Sequence, residues 1–232
     1  MTNVMPVQLN YSRYTGKKYD QDIVNAIPFH KEIHNEIVRY VASHYDPKMT
    51  YQILDLGVGT GITAAIVRDL LPCAHFDVID FSEHMLEGAR KRLGYSNTTF
   101  INGDYSTFRF RKKYDIIISV IGIHHQQGTG KKKLFKKIYS LLKSDGVFLF
   151  GDLMTSRNPR VAALNHVLHY HHLVENAVNR KTLSEWAHHH MFLNNLSPIE
   201  DQEEWLHTVG FAVQRLLSQW NTALLICKKR NH

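Results

Sequence analysis

The chain has 232 residues, 44% of them hydrophobic, with 28 Lys and Arg against 21 Asp and Glu for a formal net charge of +7. That length can bury a substantial core, and the pattern runs without a break, so one domain over residues 1–232 is expected. Cys73 and Cys227 show no CxxC spacing and no run approaches the ~18 apolar residues of a membrane span, which argues against a disulfide framework and against a membrane protein.

The opening MTNVMPVQLNYSRYTGKKYDQD has no apolar h-region, and a reducing cytoplasm with both thiols buried fits the cysteine usage. Tyr11, Tyr14 and Tyr19 lie there among polar and basic residues, a candidate flap that we take as residues 1–45. Ile23, Ile27, Ile33, Ile37 and Val41 have helical spacing interrupted by Pro28, which predicts a short helix followed by a longer one from about Phe29.

An apolar strand over 53–56 then feeds Gly57-Val58-Gly59-Thr60-Gly61, where missing Cβ atoms permit a tight turn and close approach of a ligand. A helix over 62–71, closed by Pro72, and a second strand over 76–80 follow. Asp80 ends that strand roughly 20 residues past the glycines, the spacing at which a carboxylate can meet both hydroxyls of an adenosine ribose. Ile62 stands where a dinucleotide fingerprint needs its third glycine, and the Gly-Lys-Ser/Thr of a P-loop is missing. A Gly-x-Gly-x-Gly turn followed by an acid suits S-adenosylmethionine (SAM), with its aminocarboxylate on the glycine backbone.

Ser82 is a candidate N-cap for a helix over 83–93 that ends at Gly94. Strands are predicted over 99–102, 114–120 and 147–150, with a helix over 131–142 between the last two. The alternation implies a doubly wound α/β fold with a mostly parallel sheet. A histidine-rich helical stretch over 160–192, bounded by Asn158-Pro159 and Ser197-Pro198, interrupts the pattern; we take 156–197 as a lid. A helix over 200–209 and strands over 211–217 and 221–227 close the chain as an antiparallel edge.

ILDLGVGTG, VIDFS, NGDY and YDIIISVIGIHH, in that order, resemble the class I SAM-dependent methyltransferases. The resemblance implies a Rossmann-like sheet, SAM as cofactor and S-adenosylhomocysteine as product. It also implies cofactor contacts at Gly57, Gly59, Thr60, Gly61, Asp80, Phe81, Met85, Asp104, Tyr105 and Val120, with Asp104 at the adenine amino group. The layout, including LFKKIYSLLKSDGVFLFGD and MFLNNLSPIEDQEEWLHTVGF, is similar to the carboxy-SAM synthase group and its methyltransferase relatives. The tyrosine and arginine with which that group holds its extra carboxylate fall at His30 and His190 here. A neutral histidine lacks arginine's permanent charge and planar fork, so ordinary SAM is expected, with His30 near its aminocarboxylate.

His124, His125 and Asp152 follow the fourth and fifth strands at the open end of the sheet and are the candidate catalytic residues. Tyr14, Tyr19, His169 and His190 are candidate acceptor contacts. His166, His169, His171 and His172, then His188, His189 and His190, carry no HExxH or Cys/His pattern, so no metal is expected. The leading expectation is methyl transfer to an O, N or C nucleophile of a small metabolite. Clusters such as Lys131-Lys132-Lys133 and Lys228-Lys229-Arg230 leave RNA, specifically a tRNA-modifying role, as an alternative; a non-catalytic SAM-binding protein is the other, and a homodimer is left open.

Overall fold

The computed structural model describes residues 16–230. Tyr11 and Tyr14 lie outside the described residues. Two helices come first, α1 (Gly16–Ala26) and α2 (His30–His44), separated at Pro28. The break sits at Phe29, whose φ of 59° places it in the left-handed region, and its ring meets Trp220 edge-on at 4.8 Å. Helix α1 begins ahead of the apolar positions that announced it, because Lys17, Tyr19 and Asp20 carry no apolar period.

β1 (Gln52–Leu56), α3 (Ile62–Leu70), β2 (His75–Asp80), α4 (Glu83–Leu93), β3 (Thr98–Asn102), β4 (Tyr114–Val120), α5 (Gly128–Leu141) and β5 (Leu142–Leu153) form the alternating core. Ser82 caps α4 by accepting from the Met85 amide at 3.4 Å, and Gly94 follows its last turn with φ of 60°. After α6 (Pro159–Asn176), α7 (Arg180–His188) and α8 (Ile199–Val209), the chain ends in β6 (Phe211–Gln219) and β7 (Thr222–Lys229). The seven strands run β3-β2-β1-β4-β5-β7-β6, with the first five parallel and β7 antiparallel to both neighbours. β5 is longer than its apolar run suggests: Leu142 already pairs with Tyr114, and the register shifts before Val147 meets Ile116.

Both faces of the sheet are covered. One apolar cluster joins Ile53, Val78, Ile116, Ile118 and Leu149 to Ile33, Ile37, Val67 and Leu86 of α2, α3 and α4. The other joins Leu54, Ile117, Phe148 and Leu225 to Phe135, Ile138 and Leu206 of α5 and α8. Burial on both sides accounts for the β-branched run Ile116-Ile117-Ile118 in β4. Cys227 is buried in the second cluster, but Cys73 is exposed, since it lies in the short turn after Pro72 instead of in an element.

The histidine-rich stretch is not one helix. Asn158 opens α6, accepting from the amides of Arg160 and Val161 with Pro159 in the first turn, and Asn179 opens α7 through the Thr182 amide. A π-turn (His189–Leu193) follows. The two ends of the insertion are pinched together where the Thr155 amide donates to the Ser197 carbonyl at 3.1 Å and the Ile199 amide to the Thr155 carbonyl at 2.8 Å. No described helix is long and apolar enough to cross a membrane.

Candidate active site

The glycine turn joins β1 to α3 at the carboxyl edge of the sheet. Gly57, Gly59 and Gly61 have φ of 75°, 55° and 84°, a left-handed series that side-chain-bearing residues rarely adopt. Asp80 closes the turn from β2: its carboxylate accepts from the Gly59 amide and from the Ser82 amide, each at 2.9 Å. Burial raises the Asp80 pKa, against the pull of those backbone donors. The Phe81 amide adds a third backbone donor, and an ionised carboxylate can accept about four in all.

Asp55, in the middle of β1, is a site residue that the motifs did not single out. It is 2% exposed, its Oδ2 has no hydrogen-bond partner among the described residues, and burial followed by the nearby Asp80 pushes its pKa up to about 7. A carboxylate placed in the apolar run ILDL was the available signal. Two acids beside a glycine turn, one with an orphaned oxygen, fit a ligand bearing hydroxyls and a cationic amine, which is what SAM offers.

Helix α1 reaches this turn. Asp20 accepts from Thr60 Oγ1 at 2.5 Å and pairs with Arg92 of α4, which also donates to the Thr60 carbonyl. A Cβ on Gly59 would stand 3.9 Å from the Tyr19 ring. Tyr105 covers the other side, with its ring 3.6 Å from a Cβ built on Gly57 and its hydroxyl donating to the Gly122 carbonyl at 3.2 Å. Met85 is buried and Phe81 is 57% exposed. Asp104 is exposed and accepts from the Ser106 amide and hydroxyl, both at 2.7 Å.

The second half of the site hangs from the ends of β4 and β5. After Val120, Ile121 takes φ of 54°, a strained value for a β-branched residue that costs on the order of 1–3 kcal/mol, and its amide is held by the Gly151 carbonyl at 2.8 Å. A short 3-10 turn (Ile123–His125) follows. Asp152 receives His124 twice: Oδ2 accepts the backbone amide at 2.8 Å and Oδ1 lies 2.5 Å from Nδ1. Nδ1 is therefore the donor and Nε2 carries the free lone pair. His125 packs on His124 with ring centroids 3.9 Å apart, and His189 meets His125 at 5.3 Å. Burial first, then the adjacent imidazoles, lower the pKa of His125 to about 2 and of His189 to about 4.

His169 is fully employed elsewhere. Its Nε2 donates to the Ala26 carbonyl at 3.1 Å and its Nδ1 accepts from Asn221 at 2.7 Å, so it joins α6 to α1 and to the β6–β7 turn. His190 stacks on His166 and His169 at 4.5 and 4.1 Å and is buried. His30 lies on His34, whose Nδ1 donates to the His30 carbonyl and whose Nε2 accepts from Thr63 at 3.0 Å. Burial lowers the pKa of His30 to about 3 and of His190 to about 4, so both are neutral.

The basic clusters also have work inside the fold. Lys131 is wholly buried, donating to the Asn195 carbonyl at 2.5 Å and to Ser197 at 2.9 Å, and burial lowers its pKa to about 8. Lys137 donates to the carbonyls of Tyr105, Ser106 and Phe108, and Lys112 pairs with Asp77. Lys229 donates to the Leu142 carbonyl.

A mostly parallel sheet of this strand order, with an antiparallel final hairpin and a glycine–acid cradle at its carboxyl edge, defines a class I methyltransferase fold. Residues 53–146 match the family described as a methyltransferase domain, and the chain has the class I methyltransferase fold. It is 33% identical over 145 residues to a malonyl-[acyl-carrier protein] O-methyltransferase of Ilyobacter polytropus, an alignment covering 62% of this chain and 50% of that protein. The chain thus spans about half the length of the first curated relatives it matches. It is 24% identical over 221 residues to the carboxy-S-adenosyl-L-methionine synthase of Nautilia profundicola, covering 92% of this chain and 91% of that one. Among solved structures, the CurJ carbon methyltransferase superposes with a TM-score of 0.70 at 14% identity, covering 98% of this chain and 62% of that one, a likeness of fold.

Proposed function

We propose that the protein transfers the methyl group of ordinary SAM to an oxygen, nitrogen or carbon nucleophile of a small acceptor molecule. The observation that carries this is the cradle: Asp80 bound to the Gly59 amide, with the unpartnered Asp55 oxygen beside it. SAM, when bound, supplies a methyl carbon already attached to a good leaving group. The chain therefore has to orient rather than activate the donor. The Asp80 carboxylate would take the ribose hydroxyls, Asp55 would offset the ammonium, and the exposed Phe81 face with Asp104 would receive the adenine.

Neither His30 nor His190 is a cation at neutral pH, which favours SAM over its carboxylated form: a second carboxylate would find no permanent positive charge at those positions. Around the acceptor, Asp152 would hold the tautomer of His124, and His125, His189 and Tyr19 would be the nearby side chains that meet it. We take residues 156–197 as the part that selects the acceptor. A carrier-bound acyl group is the acceptor named for the malonyl relatives, and it is one candidate among small acceptors here. RNA has less support, because the clustered cations Lys112, Lys131, Lys137 and Lys229 are spent on internal partners.

Calorimetric titration with SAM tests the cradle. Saturable binding is expected, lost in Asp80→Ala; undiminished binding in that variant would count against the ribose assignment. Incubation with SAM and a metabolite extract should then yield a product heavier by one CH2, whereas binding without any such product would mark a non-catalytic SAM-binding protein.

A further inference from the structure

We propose that His124, His125 and His189 form a binding site for one divalent transition-metal ion of borderline softness, with Zn2+ as the reference case. The three side chains come from two parts of the chain, the 3-10 turn after β4 and the start of the π-turn in the helical insertion. Each offers one ring nitrogen, and these nitrogens lie within 4.8 Å of one another. In a tetrahedral site with metal–nitrogen bonds of ~2.0–2.1 Å the nitrogens would be roughly 3.4 Å apart. The contraction needed is a little over an ångström at most. His189 sits on a π-turn, an irregular element often found at functional sites, where such a shift is cheaply absorbed.

Two independent features point to an ion and not merely to packed rings. Asp152 grips His124 at both the backbone amide and Nδ1, which leaves Nε2 as the only basic nitrogen and sets the ring's direction. A carboxylate behind a histidine is the usual support for a metal ligand, fixing its tautomer and raising its basicity. The Nδ1 of His125 is buried without a hydrogen-bond partner among the described residues. Such an orphaned polar atom costs about 1–3 kcal/mol, a penalty that coordination would remove.

The donor set says which ions fit. Three imidazoles suit Zn2+, Fe2+, Co2+ or Ni2+ and not Mg2+ or Ca2+, which want oxygen. Asp152 supplies countercharge behind the site, and the buried Lys131 ammonium, which acts on both Asp152 and His125, opposes the ion; it is held off on the Asn195 carbonyl and Ser197. An ion here would tie the helical insertion to the sheet edge. Three protein ligands leave a fourth position open, and if the methyltransferase reading holds, that position would take an oxygen or nitrogen of the acceptor.

The test is titration of the metal-free full chain with Co2+, whose visible ligand-field bands report coordination number. One equivalent should bind with the intense bands of a low-coordinate site and be displaced by Zn2+. His189→Ala should lose the bands, and Asp152→Asn should weaken binding by about 10–100-fold. SAM calorimetry on the same preparations shows whether each variant is folded. A wild-type chain that binds SAM but takes up no stoichiometric Co2+ or Zn2+ would overturn the metal site and leave the methyltransferase assignment standing. Uptake undiminished in both His189→Ala and His125→Ala would also overturn it. Metal uptake with no SAM binding would retain the site and sink the methyltransferase assignment.

Discussion

Asp152 Oδ1 lies 2.5 Å from His124 Nδ1, with both side chains 2% exposed or less. The contact is made across the end of the sheet, between the turn after β4 and the last part of β5, which pair in parallel register as far as Val120 and Gly151. A carboxylate that also accepts the amides of His124 and Leu153 can hold the ring in only one sense. Orientation of His124 is thus a property of the fold and not of a mobile side chain.

Replacement of Asp152 by Asn should expose that dependence. An amide cannot accept from all three donors, so its NH2 would face one of them, and the two-point hold on His124 would be broken. SAM affinity should stay within a few-fold of wild type, since Asp152 is not in the cradle. Turnover should fall by about 10²–10⁴-fold, the usual worth of a positioned acid–base or polarising group. Equal loss of SAM binding, measured by calorimetry, would instead mean that the β4–β5 edge had collapsed.

Acid should destabilise the protein earlier than its carboxylates alone require. Burial lowers the pKa of His30 and His169 to about 3, and lowers that of His34 too, from an ordinary value of 6.5. His30 and His34 face each other and Thr63; His169 faces His190, His172 and Asn221. Below pH 6.5 the unfolded chain takes up protons at these positions and the folded chain does not. Stability that is complete above pH 6.5 is therefore lost as pH falls toward the folded values, at up to about 1.4 kcal/mol per pH unit for each histidine. Urea midpoints measured from about pH 7 to 4.5 should fall steeply, and His169→Gln should flatten the slope by one proton. A flat profile over that range would refute the buried neutral state.

Most of the sheet and the glycine turn with its acid were legible because they rest on local signals. Gly57, Gly59 and Gly61 mark positive φ, Ser82 and Gly94 mark the ends of α4, and the isoleucines of β4 mark a strand buried on both faces. The less legible parts depend on three-dimensional context. Lys131 reads as part of a solvated basic run, yet with Leu134, Phe135 and Ile138 it occupies the i, i+3, i+4, i+7 stripe of α5 that faces the core. His124, His125 and His189 are 65 residues apart at their extremes, and the last of them reaches the other two from the start of the π-turn. The break between α6 and α7 depends on Asn179 serving as a cap within a stretch whose apolar period runs on past it.

The link from α1 to the glycine turn should govern how long SAM stays bound more than how stable the protein is. Asp20 joins Thr60 and Arg92, but Arg92 and Asp20 side chains remain 31% and 22% exposed. Ion pairs of that exposure contribute about 0–1 kcal/mol to folding. Asp20→Ala should therefore shift the melting temperature little while raising the SAM dissociation rate several-fold in stopped-flow chase experiments. High salt should reproduce part of the effect in the wild type, because the same pair is screened. An unchanged dissociation rate would show that α1 does not retain the ligand.

Two alanine substitutions separate the turn's conformation from its contact with a ligand. A Cβ on Gly59 would meet only the Tyr19 ring, at an ordinary 3.9 Å, whereas one on Gly61 would crowd Leu93 Cδ1 at 3.3 Å and the Ala89 backbone at 3.4 Å. Both carry the left-handed backbone penalty of roughly 1–2 kcal/mol, but only Gly61 adds a collision with α4. Gly61→Ala should therefore cost more stability in urea melts. Gly59→Ala should fold with the smaller loss yet bind SAM at least tenfold more weakly, because its methyl group would enter the space above the turn where the aminocarboxylate should lie. Wild-type SAM affinity in folded Gly59→Ala would mean that the ligand does not rest on that Cα, and the cradle would have to be redrawn around Asp55 and Asp80.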